Sequence, residues 1–162
     1  MKDKPLETAL VGGLTTKCDE RIEFFGETDT LSSYIMELIH YLDDNDLKEN
    51  LKEIVKKLSY IMGIVAGVDK KFEEENILNL LELIKKYKTS GTVLKEFVLP
   101  GQTLLSAKIH IVRVHTRTCE RRYAKVYEKY GGQDNIFEYL NKLSTLFYEL
   151  ALYYEKVKVR LL

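Results

Sequence analysis

Residues 102–130 read QTLLSAKIHIVRVHTRTCERRYAKVYEKY, and this stretch decides the fold. It contains no proline, its apolar residues recur at helical spacing, and Gly131 and Gly132 follow it as a stop signal. The reading is one long α-helix from near Gln102 to about Tyr130, roughly 40 Å in length. A helix of that length needs partners of similar length to bury its apolar stripe. Its polar side is equally informative. At about 100° per residue, Arg113, Arg117, Glu120 and Arg121 fall within a sector about 100° wide. Two readings of this stripe are open. Three guanidiniums with one carboxylate to orient them suit a polyanion such as a triphosphate. The same residues also suit a solvated helix face with internal ion pairs.

Working outward, four more helices are expected. A first is N-capped by Thr28 or Asp29 and runs through LSSYIMELIHYL to about Asp43. A second spans about Asp46 to Val65, with Leu51, Ile54, Val55, Leu58, Ile61, Met62 and Val65 as its buried stripe. A third covers about Glu73 to Tyr87, with Leu78, Leu81 and Ile84 on the apolar face. After a loop containing Gly91, Pro100 and Gly101 comes the long fourth helix. A fifth, about Asn135 to Lys158, carries Ile136, Leu140, Leu143, Phe147, Leu150 and Tyr154. Residues 1–27, with Gly12, Gly13 and Gly26, read as an extended N-terminal segment, and 28–162 as the helix-bundle domain. The fold class expected is all-α: a five-helix antiparallel bundle, up-and-down, in one domain.

Composition narrows the function. The 162 residues carry 25 Lys plus Arg against 25 Asp plus Glu, for a net charge of zero. That balance argues against general nucleic-acid or anionic-membrane binding, which draw on excess positive charge. The two cysteines, Cys18 and Cys119, form no metal-binding pair and no disulfide framework. The N-terminal MKDKPLETAL lacks the apolar core of a secretion signal, and no run approaches the roughly 20 residues of a membrane span. A cytoplasmic protein is expected.

A few other residues could carry chemistry. Asn141 lies in YLNKLSTLF among core-type residues, where an amide needs a partner. A cap, an inter-helix hydrogen bond and a ligand contact all satisfy that need. Asp29 reads as a helix cap or as the ion-pair partner of an arginine on the fourth helix. The segment ETALVGGLTTK offers Thr8, Gly12, Gly13 and Lys17, backbone and charge suited to phosphate oxygens, without the Walker spacing. His40, His110 and His115 show no metal-ligand spacing, and no side chain is identified as a metal ligand. No Ser-His-Asp or Cys-His arrangement can be placed.

These residues resemble a family. ALVGGLTTKCDERIEFFGETDTLSSYI (9–35) is similar to the N-terminal half of the PduO-type ATP:cob(I)alamin adenosyltransferases. LKEIVKKLSYIMGIVAG (51–67) resembles their second helix. EFVLPGQTLLSAKIHIVRVHTRTCERRYAKV (96–126) resembles their F-x-L-P-G-G … R-x-x-x-R-R-x-E-R-R signature. NIFEYLNKLSTLFYELALYYE (135–155) resembles their Y-L-N-R-L-S-D-x-L-F helix. The resemblance implies a homotrimer of ferritin-like bundles with active sites between subunits. It implies transfer of the 5′-deoxyadenosyl group of ATP to cob(I)alamin, with Mg²⁺. It matches Lys17, Arg117, Glu120, Arg121 and Asn141 to ATP-site positions, to which the N-terminal reading adds Thr8. Arg117, Asn141 and Phe97 are the expected catalytic residues, Phe97 as the aromatic that helps displace the lower axial ligand of cobalt. Asp29 and Arg113 match a pair that bridges subunits. The chain also departs from the family. The T-x-T-G-D-x-G segment that wraps phosphates would precede Thr8, where residues 1–7 read MKDKPLE. Thr118, Thr145 and Thr30 replace an arginine, an aspartate and a glutamate. The alternative reading is therefore a weak or inactive homologue that keeps the trimer and binds cobalamin or nucleotide without efficient transfer.

Overall fold

The computed structural model describes residues 4–88 and 99–155. Two short strands, β1 (Glu7–Leu10) and β2 (Gly13–Thr16), precede five helices: α1 (Glu20–Ile39), α2 (Asn45–Val65), α3 (Glu75–Tyr87), α4 (Leu104–Tyr130) and α5 (Asp134–Tyr153). The five-helix expectation holds, and each helix lies within about four residues of where periodicity places it, except at the start of α1 and the end of α5, which stops at Tyr153, the expected end at Lys158 lying outside the described residues. α4 packs on α1 and α5, α2 packs on α1, and α3 packs on α5.

The α1–α4 contact follows from spacing. Buried residues alternate in steps of three and four on both helices: Phe24, Thr28, Leu31, Ile35 and Leu38 on α1, and Ile109, Val112, Thr116, Cys119, Tyr123 and Val126 on α4. That rhythm keeps one seam facing its partner along the whole contact. Its two small polar members meet: Thr28 Oγ1 lies 3.1 Å from Cys119 Sγ and donates to the Phe24 carbonyl at 2.8 Å. Burial pushes the Cys119 thiol up to about 12, so it stays protonated and serves as packing. Both cysteines are free, as the spacing predicts.

Three expectations need correction. The segment 1–27 is not simply extended. Residues 7–16 form an antiparallel hairpin, with Glu7 opposite Thr16 and Leu10 opposite Gly13. The first helix does not start at Thr28 or Asp29 but at Glu20, capped by Asp19, whose side chain accepts from the Arg21 N–H. Glu20 and Glu23 in the first turn complement the helix dipole there. The face of α3 is also shifted by one residue. Leu78 and Leu81 are exposed, and Ile77, Leu80, Leu83, Ile84 and Tyr87 turn inward.

The turn from α4 to α5 is tightly fitted. Gly131 takes φ +76°, the left-handed region that favours glycine after a helix. The Tyr123 hydroxyl donates to the Gln133 carbonyl at 3.2 Å and accepts from the Gln133 N–H at 2.9 Å. A β-carbon on Gly132 would lie 2.5 Å from that hydroxyl and 2.9 Å from Tyr127 Cδ2. Gly132→Ala is therefore expected to destabilise the fold by about 1–3 kcal/mol, read as a lowered urea midpoint. An unchanged midpoint would show that both rings can move aside.

Among the described residues, no helix is long and apolar enough to cross a membrane.

Candidate functional site

The charged stripe lies on the side of α4 away from its packed seam. Arg117 and Arg121 are exposed and Arg113 is half-buried. Among the described residues, none of these three guanidiniums forms an ion pair with a carboxylate. Arg113 Nε donates to His110 Nδ1 at 3.3 Å. Burial and, after it, the neighbouring Arg113 charge lower the His110 pKa, which keeps the imidazole a neutral acceptor. Burial first and the Arg117 charge second also push the Arg113 pKa down. Arg121 Nη2 donates to Thr118 Oγ1 at 3.0 Å, and that hydroxyl donates to the Val114 carbonyl at 3.1 Å. Thr118 thus stands inside the stripe as an acceptor for Arg121.

Among the described residues Glu120 holds no arginine. Its Oε1 accepts from Asn141 Nδ2 of α5 at 3.0 Å. Asn141 is exposed rather than core-placed, and its amide meets an inter-helix partner. The Asn141 carbonyl also accepts from Ser144 Oγ at 2.9 Å, which anchors the residue's place on α5. The α4–α5 packing thus brings Asn141 to the edge of the arginine stripe. The reading of internal ion pairs fails among the described residues, and three cations remain on one face with one carboxylate engaged elsewhere.

Asp29 sits mid-helix on the exposed side of α1, so it is not a cap. Among the described residues neither Asp29 nor Arg113 has an ion-pair partner within the subunit. Other pairs stitch α1 to α4. His115 Nδ1 and Glu27 Oε1 lie 2.6 Å apart, with Tyr34 stacked on the imidazole at 4.9 Å. Lys108 Nζ donates to Glu37 Oε1 at 2.8 Å.

Thr8 and Lys17 belong to the hairpin. Thr8 pairs with Thr15 in the ladder, and the Lys17 N–H donates to the Leu6 carbonyl at 2.7 Å. No hydrogen bond joins either residue to the stripe of the same subunit among the described residues. Phe97 lies outside the described residues. Composition and spacing did not single out Asp19, which is 4% exposed. Its carboxylate accepts from the Arg21 N–H and Nε at 2.9 Å each and from Arg21 Nη2, Thr15 Oγ1 and Tyr130 OH at 2.8 Å each. The Arg21 hydrogen bonds above all outweigh burial and hold its carboxyl well below the usual carboxylate range. The signal available in the sequence was an Asp one residue before an acidic helix turn.

Comparisons with known proteins agree on one family. The cobalamin adenosyltransferase family profile matches residues 3–154. A corrinoid adenosyltransferase of Bacillus subtilis is 34% identical over 90% of this chain and 79% of its own length. One from Citrobacter freundii is 31% identical over 89% of this chain and 86% of its own. A solved variant of the PduO-type ATP:corrinoid adenosyltransferase from Lactobacillus reuteri, complexed with cobalamin and ATP, superimposes with a TM-score of 0.84 at 25% identity, covering 100% of this chain and 97% of that one. Family profile, relatives and fold converge: this chain belongs to the cobalamin adenosyltransferase family.

Proposed function

We propose that this chain transfers the 5′-deoxyadenosyl group of ATP to cob(I)alamin, as a cytoplasmic homotrimer with its sites between subunits. One observation carries the reading. Arg117 and Arg121 share a face of α4 without carboxylate partners among the described residues, and Asn141 stands beside them on the Glu120 carboxylate. The relatives' names and the ATP and cobalamin of the related structure support it.

In this reaction the cobalt(I) lone pair attacks C5′. A Co–C bond forms, the C5′–O bond breaks, and its electron pair leaves on the triphosphate. Cobalt(I) supplies the nucleophile, so the protein's work is alignment and stabilisation of charge on the leaving oxygens. Arg117 and Arg121 can present fork-shaped donors to that charge. Asn141, oriented by Glu120, supplies an amide at the stripe's edge. Thr8 and Lys17 are assigned to the nucleotide, reached from a neighbouring subunit's hairpin. Phe97 is assigned to the cobalamin side. Asp29 and Arg113, without an ion-pair partner in the same subunit among the described residues, are assigned to each other across the interface. Mg²⁺ fits as an ion carried by the phosphates: no group of three or more His, Cys, Asp or Glu among the described residues could hold it alone.

Calorimetric titration with Mg-ATP, followed by an adenosylation assay under reducing conditions, tests this. Saturable binding below millimolar ATP and formation of adenosylcobalamin are expected. Absence of heat at millimolar ATP would overturn the nucleotide site. Binding without transfer would favour the weak homologue, for which Thr118 in place of an arginine is the specific cause.

A further inference from the structure

We propose that Asp19 and Tyr130 act as positioning residues, a clamp that holds the Lys17-bearing hairpin in register with α4. The inference rests on the nucleotide reading of Lys17 above.

An N-cap needs one acceptor for one free N–H. The Asp19 carboxylate accepts five hydrogen bonds, and they come from three elements: the hairpin through Thr15, α1 through Arg21, and the last residue of α4 through Tyr130. Among the described residues, every hydrogen bond from residues 4–17 to the helical bundle ends on Asp19. Thr15 Oγ1 donates to its carboxylate at 2.8 Å, and its own N–H donates to the Thr16 carbonyl at 3.0 Å. At the hairpin tip Val11 passes close to the end of α2, where a β-carbon on Gly67 would lie 3.6 Å from Val11 Cβ. Lys17 itself closes the hairpin, its N–H donating to the Leu6 carbonyl, and it stands two residues before the clamped Asp19.

Tyr130 is built to serve this point. Its ring is exposed on one side and carries Arg21 over its face at 4.1 Å, with Lys129 Nζ at 5.2 Å. Lys129 in turn pairs with Glu20 Oε2 at 2.7 Å. The ring therefore keeps its cation contacts without the hydroxyl, and Tyr130→Phe removes one bond, the one from α4 to Asp19. If the hairpin must be in place to receive phosphate, a smaller ordered fraction raises the apparent dissociation constant in proportion.

The test compares wild type, Tyr130→Phe, Lys17→Ala and the double variant. Tyr130→Phe is expected to raise KM for ATP measurably, by at most about tenfold, the scale of one lost hydrogen bond to a charged acceptor, with kcat at saturating ATP nearly unchanged. In the Lys17→Ala background the same change is expected to move KM less than about twofold, because the clamp acts through Lys17. Hydrogen exchange at the Glu7 and Lys17 amides is expected to quicken in Tyr130→Phe. An unchanged KM in an active protein, or an equal effect with and without Lys17, would overturn the clamp. A lowered melting temperature with KM unmoved would mean a purely structural role and overturn it also. If the wild type neither binds nor uses ATP, the nucleotide reading fails on its own. The exchange measurement then decides the clamp: unchanged protection of the hairpin amides sinks it, and faster exchange supports it.

Discussion

Replacing Arg117 by alanine is expected to lower kcat/KM for ATP at least about a hundredfold while leaving the fold unharmed. A hydrogen bond to a charged group is worth about 1.5–3 kcal/mol, and a donor that meets charge developing in the transition state has cost about 10²–10³ in rate elsewhere. Arg117 is exposed and has no ion-pair partner among the described residues, so its removal orphans no buried charge. It also relieves the Arg117 repulsion that, after burial, pushes the Arg113 pKa down. The melting temperature should hold or rise slightly. Arg117→Lys separates charge from geometry: it keeps one positive charge but loses the fork, and should recover only part of the lost activity. Residual ATP binding should weaken as salt increases, since exposed charges are screened within about 10 Å at 0.1 M. Unchanged ATP affinity in Arg117→Ala would remove the stripe from the nucleotide site.

The legible parts of this protein were those with long repeating patterns. The α4 stripe could be placed on one face because helical geometry fixes angular position from spacing alone. Its partners could not be read, because they depend on which helix packs alongside. Glu120 looked like the holder of an arginine until α5 brought Asn141 to it. The α3 face was ambiguous for a related reason. ENILNLLELIKKY has apolar residues at 77, 78, 80, 81, 83 and 84, so two stripes one residue apart fit equally well. Packing on α5 chooses Ile77, Leu80 and Ile84. The start of α1 was hidden by Gly26, Thr28 and Asp29, which imitate a boundary and a cap. Gly26 is tolerated inside the helix, with open space where a β-carbon would be. The hairpin did carry a turn signal in Gly12, which takes φ +87°. Its strands have too little apolar alternation to be recognised, and tertiary anchoring through Asp19 holds them instead.

Reversing the charge of Asp29 should take the assembly apart, and reversing Arg113 as well should restore it. Asp29→Arg would set two guanidiniums against each other at each subunit contact, and like charges across an interface cost several kcal/mol. A closed ring repeats that penalty at every contact. The shift in the monomer–trimer midpoint is therefore expected to exceed about a hundredfold in concentration, measured by analytical ultracentrifugation. The surroundings point to a covered surface. Met36, two turns along α1 from Asp29 on the same face, is 40% exposed, and Val114, next after Arg113 on α4, is 46% exposed. Arg113 is already partly desolvated, which strengthens whatever carboxylate faces it and sharpens the effect of a wrong charge. The double variant Asp29→Arg, Arg113→Asp restores opposite signs, though His110 then loses its guanidinium donor, so recovery should be substantial rather than complete. Activity should fall and return with the trimer if the sites lie between subunits. A single Asp29→Arg variant that stays trimeric at submicromolar concentration would break the proposed pair, and with it the assignment of Arg113 to assembly rather than to phosphate.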